Sequence, residues 1–121
     1  MKVFILLVIS FTLRFVAFGQ GETFNYGDTV ILRGKVLQVV YEIPTGDKFT
    51  TYILQLNNPV NIKTNDEWEG LANVNQIHLN IMNPKVERYH NEIITVRGYL
   101  FHGLTIHHIR DLCIKVDRIE N

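Results

Sequence analysis

Past residue 20, apolar and polar positions alternate with a period of two. Thr29–Tyr41 places Val30, Leu32 and Val36 on one face, with Gly34 among them. The same alternation recurs in Phe49–Leu56 (Tyr52, Leu54, Leu56) and Gln76–Met82 (Ile77, Leu79, Ile81). It returns in Glu92–Phe101 (Ile94, Val96, Leu100) and Asp111–Arg118 (Leu112, Ile114, Val116). The pattern predicts five strands, each with one buried face. Pro44-Thr45-Gly46-Asp47 reads as a turn, because proline presets φ and glycine admits positive φ. Asn57-Asn58-Pro59 is expected to end the second strand. Thr23–Asp28 reads as a lead-in, and Asn61–Asn75 carries no period. Within it, Asp66–Leu71 suggests one helical turn, with Trp68 as a lid over the core. Asn83 as cap, Pro84 at the first helical position and the Val86/Tyr89 spacing predict a short helix over 84–91.

Two of these strands share an internal signature, Val30-x-Leu-Arg-Gly34-x-Val36 and Ile94-x-Val-Arg-Gly98-Tyr-Leu100. A mid-strand glycine marks a bend, a bulge or a close backbone approach. Two long strands bent in this way suit a sheet that curls to cover its own apolar face. With a short helix between strands three and four, the expected architecture is all-β, a small five-stranded OB-like Greek-key barrel. A flat sandwich is the alternative.

The first twenty residues follow a different pattern. Met1-Lys2 is a basic start, Val3–Ile9 is a solid apolar run, and Ala17-Phe18-Gly19 ends the stretch with small residues in the two positions a signal peptidase reads. Residues 1–19 are therefore expected to be a signal peptide, and 20–121 a single OB-like domain. The competing reading, a membrane anchor, meets Arg14 inside the apolar run, which leaves too short an uncharged stretch to span a bilayer. A periplasmic or secreted protein follows, with no membrane span after cleavage.

Composition changes this picture little. Twelve basic and twelve acidic residues balance over the 121-residue chain. Loss of Lys2 and Arg14 with the leader leaves a net charge near −2. Such a chain lacks the basic field that holds a nucleic-acid backbone, so no nucleic-acid partner is expected. Tyr41, Phe49 and Tyr52 offer stacking surfaces, but Lys48 is the main cation beside them. The one cysteine, Cys113, lies between Leu112 and Ile114 and reads as a small buried hydrophobe.

Chemistry-bearing residues concentrate in Leu100–Asp111, which holds His102, His107 and His108. Imidazoles and a carboxylate are zinc ligands. Adjacent His107 and His108 point to opposite faces of an extended chain, however, and no His-x-x-x-His pair on a helix exists here. The only serine, Ser10, falls in the expected leader, which removes a serine hydrolase. A thiol in an apolar strand is a poor nucleophile. Glu67 and Glu69 read as solvated carboxylates, and the isolated glycines form no phosphate loop.

Taken in order, Tyr26-Gly27-Asp28, Val30-x-Leu32-x-Gly34-x-Val36, Tyr52-x-Leu54-x-Leu56-x-x-x-Pro59, Val96-x-Gly98-x-Leu100-Phe101 and Thr105-x-His107-His108-x-x-Asp111 resemble an uncharacterised family of exported bacterial OB-like domains. The family's most recognisable stretch reads Thr-Gly-His-His-His-Thr-Asp before the last strand. Thr105, His107, His108 and Asp111 agree with it, and Ile109 stands where the family has its third histidine. The resemblance implies a small exported barrel and supplies no reaction.

The functional expectation is a non-enzymatic exported binding module for a protein partner or a cell-envelope component, with no cofactor. Its candidate surface is His102, Thr105, His107, His108 and Asp111. A metal-binding protein using His102, His107, His108 or Asp111 is the first alternative, and a hydrolase with an unfamiliar site the second.

Overall fold

A computed structural model describes residues 21–81, 84–105 and 107–120; the expected leader and the Asn83 cap lie outside the described residues. Among the described residues, six strands form one sheet: β1 (Glu22–Phe24), β2 (Thr29–Glu42), β3 (Lys48–Ile62), β4 (Leu71–Asn80), β5 (Ile93–His102) and β6 (Leu112–Glu120). Their order is β1-β3-β2-β5-β6-β4, and a further β3–β4 pairing joins the two sides. Strands β2 to β6 thereby close into a five-stranded barrel, which leaves no room for a flat sandwich. The β4–β6 ladder is parallel, while the other four ladders of the barrel are antiparallel. Among the described residues, no helix is long and apolar enough to cross a membrane.

The period-two stripes line the interior as predicted. Val30, Leu32, Leu54, Ile77, Ile94, Val96, Leu100 and Ile114 all belong to one buried cluster, and Val36, Val96 and Leu100 are fully enclosed. The two mid-strand glycines lie where the sheet curls. Around Gly34, β2 passes from its β5 partner to its β3 partner. At Gly98, the β5–β6 register shifts by a bulge. A Cβ on Gly34 would run into the Gln55 carbonyl, and one on Gly98 into the Lys115 carbonyl, so these positions need a bare backbone. The turn at Pro44–Asp47 closes as read: Gly46 has φ of 92°, and its N–H donates to the Ile43 carbonyl at 2.8 Å.

Several boundaries differ from the sequence reading. Strand β3 does not stop at Pro59 but runs to Ile62. Pro59 falls in the gap between the Gln55 and Val60 pairings to β4, where no ladder bond needs its missing N–H. Short strand β1, expected as lead-in, pairs in parallel with the far end of β3. Strand β4 begins at Leu71, hidden from the periodicity by Asn73, whose φ of 54° interrupts the alternation. The predicted helical turn at Asp66–Leu71 is a side-chain-closed turn instead. Asn65 Oδ1 accepts the N–H groups of Glu67 and Trp68 at 2.9 and 2.7 Å, in competition with helical backbone bonds. Between β4 and β5 the chain takes 3₁₀ geometry over Pro84–Tyr89; no α-helix is present among the described residues. Six residues are too few for two α-turns, yet they carry Val86 into the core.

Candidate functional site

A second, smaller buried layer lies outside the barrel. Ile53 on β3 is opposite His78 on β4, His78 is opposite Cys113 on β6, and Cys113 is opposite Phe101 on β5. Residues opposite each other across a ladder share a face, so these four side chains make one row across the sheet. Ile53 and Cys113 are as buried as core residues, and His78 is only 5% exposed. Described residues of the loop between β5 and β6, Gly103–Thr105 and His107–Asp111, cover this row.

His108 holds that cover in place. Its ring meets His78 and Phe101 edge-on, each at a centroid distance of 5.3 Å. Its Nδ1 accepts the backbone N–H of Leu104 at 2.9 Å and of Thr105 at 3.3 Å. Those bonds require an unprotonated Nδ1, so the loop is built around a neutral imidazole. Burial and then the neighbouring His107 lower the His108 pKa, in the same direction. The Thr105 carbonyl accepts the His108 N–H, its hydroxyl accepts the His107 N–H, and the Asp111 carbonyl accepts the Gly103 N–H. Arg110 pins the far side through Nε and Nη2, both donating to Gln76 Oε1 at 3.1 and 3.0 Å.

Beneath the loop, His78 is pushed down to about 4, first by burial and then by His108 and Arg110. Its Nδ1 has no hydrogen-bond partner among the described residues. Burial, aided by Asp111, raises the Cys113 thiol to about 12. Such a thiol is inert, a small apolar filler as its Leu112/Ile114 setting implied.

The three loop histidines diverge. His108 turns inward over His78. His107 turns to the β2–β3 end: Phe49 meets its ring edge-on at 5.0 Å, and the Tyr41 hydroxyl lies 3.3 Å from its Nδ1. Tyr41 and Phe49 are cross-strand partners on either side of the Pro44–Asp47 turn, with rings 5.8 Å apart. His102, at the end of β5, stacks flat on Trp68 at 3.9 Å, and Tyr26 closes on it at 6.0 Å. No group of three or more His, Cys, Asp or Glu side chains is placed to hold a metal ion among the described residues.

Two aromatic expectations change. Trp68 packs on His102 and is not a lid over the core, because the Asn65 turn tips it toward the end of β5. Tyr52 is not on the Tyr41–Phe49 face. It shares the inward parity of Leu54 and Leu56, packs against the core, and has its pKa raised by burial and then by Glu87. His78, Gln76 and Arg110 were not singled out by sequence as loop anchors. Parity offered one signal, since His78 falls between inward Ile77 and Leu79 on a strand otherwise polar outside.

No protein-family model and no curated protein matches the chain.

Proposed function

We propose that this protein is a non-enzymatic exported binding module on an OB-like Greek-key barrel, kin to the exported family it resembles. It takes a protein partner or a cell-envelope component. The observation that carries this reading is the meeting of the β2–β3 turn with the β5–β6 loop through Tyr41, Phe49 and His107. In OB barrels, the loops in these two places frame the ligand face. The ring order β2-β3-β4-β6-β5, with one parallel ladder between the third and fifth barrel strands, supports that comparison. His107 is exposed and Phe49 is 36% exposed, so the rings are available to a partner. Large, stiff aromatic side chains with polar tips are favoured anchors in interfaces.

The test is affinity capture from a cell-envelope fraction on the immobilised chain, run beside a Tyr41→Ala/Phe49→Ala variant. A component retained by the parent and lost by the variant, with thermal unfolding unchanged within a few degrees, supports this face. Equal retention by both chains removes it.

A further inference from the structure

A second surface is built from different residues. The segment Asn65–Trp68 and the end of β5 line a shallow, open groove of about 310 Å³. Tyr26, Asn65, Glu67, Trp68, Tyr99 and His102 are among its lining residues. That volume is at the small end of ligand sites, sufficient for one or two rings.

The walls are held before any ligand arrives. Asn65 fixes the Trp68 turn from both directions: its Oδ1 accepts from the Trp68 N–H, and its own N–H donates to the Trp68 carbonyl at 2.9 Å. Trp68 and His102 are parallel to within 2°. His102 Nδ1 lies 2.9 Å from the Gly103 carbonyl, which can only accept. Nδ1 therefore carries the proton, and Nε2 is the acceptor of the neutral ring. Tyr26 is fastened by its hydroxyl, which donates to the Glu69 carbonyl at 2.9 Å. Rings fixed in this way lose little freedom when a ligand settles on them.

The chemistry of the lining selects the ligand. Glu67 and His102 Nε2 supply acceptors, and the Asn65 amide, its oxygen already engaged, retains its NH₂ donor. Neither Lys nor Arg lines the groove among the described residues, which disfavours phosphate, nucleic acid and acidic polymers. The Tyr99 ring offers little to a cationic side chain, because the Lys115 ammonium already lies over it, 5.7 Å from its centroid. What fits is a neutral molecule with an apolar ring face and several hydroxyls around its rim. Hydroxyls both donate and accept, and the C–H face of a sugar complements the negative face of an aromatic ring.

We propose that the Trp68–His102 groove binds an uncharged saccharide. The groove shares no residue with the Tyr41–Phe49–His107 face, so the two assignments stand or fall separately.

Trp68 is the single tryptophan of the chain, so its emission reports on this groove alone. The purified chain is titrated with neutral gluco- and N-acetylglucosamine oligosaccharides, an anionic uronate oligosaccharide and a lysine-rich peptide. A saturable change in emission with a neutral oligosaccharide is expected, at a Kd between about 10 μM and 1 mM. His102→Ala and Glu67→Gln should each weaken it by about tenfold, the first by freeing the Trp68 ring that His102 stacks on and the second by removing a charged acceptor. Trp68→Phe, followed by calorimetry, keeps the packing and should weaken binding less than Trp68→Ala. Circular dichroism melts separate lost binding from lost folding. No saturable response to any neutral probe up to about 10 mM overturns the proposal. So does preference for the uronate or the peptide, or binding that ignores both the His102 and Trp68 substitutions.

Discussion

At the scale of single residues, His78 is the sharpest case of a group whose folded environment opposes its charge. It is 5% exposed, its Nδ1 has no hydrogen-bond partner among the described residues, and the Arg110 charge, joined by His108 once that ring is protonated, opposes a charge on it. Its value of about 4 in the fold lies below the ordinary 6.5. Between those values the unfolded chain binds the extra proton, so stability falls as pH drops through the window. The full loss is on the order of 3 kcal/mol, and the contribution is complete above pH 6.5. His108, shifted in the same direction, adds to the slope. Urea midpoints measured from pH 7.5 to 4.5 should decline more steeply in the parent than in His78→Leu. Because carboxylates titrate near the same acid limit in both chains, the difference isolates the histidine. Parallel declines would show that His78 does not titrate with unfolding.

At the scale of elements, His108 ties the β5–β6 loop by accepting two backbone N–H groups at its Nδ1. His108→Ala leaves both donors without that acceptor and uncovers the outer row of His78, Cys113 and Phe101. A destabilisation of about 1–3 kcal/mol is expected. The more specific readout is local. Amide exchange at Leu104 and Thr105 should accelerate, and Cys113 should begin to react with a thiol reagent under native conditions. Unchanged exchange in this loop, with the barrel intact, would show that Arg110 and Gln76 suffice to hold it. The element boundaries divide along the same line of reasoning. Strands with an uninterrupted stripe, such as Val30–Val36 and Ile94–Leu100, were legible because alternation is a local property. The beginning of β4 and the passage of β3 through Pro59 were not. Their alternation is broken by Asn73 and by a ladder gap that exists only because β4 lies opposite.

At the scale of the whole molecule, one sheet closes on itself, and closure depends on two places of bare backbone. Gly98→Ala inserts a methyl against the Lys115 carbonyl and Ile114 Cγ1, the latter at 3.0 Å. A cost of about 1–3 kcal/mol is expected, as for other forced contacts in packed interiors. Because the strands share one core, the loss should appear as a lower denaturation midpoint with an unchanged slope and a single transition by every probe. Two separated transitions would mean that the β5–β6 pair melts independently of the rest.

The amino-acid sequence alone determined the inward stripes, the two glycines that bend them and the Pro44–Asp47 turn. Each follows from alternation or from the stereochemistry of one residue. It also brought the residues of the last loop to notice. Only the tertiary structure decided where each histidine faces. That outcome depends on ring partners far apart in sequence: Phe49 for His107, Trp68 for His102 and His78 for His108. A linear pattern tells which side of a strand a residue occupies, but the ring that meets it across the barrel is chosen by closure of the sheet.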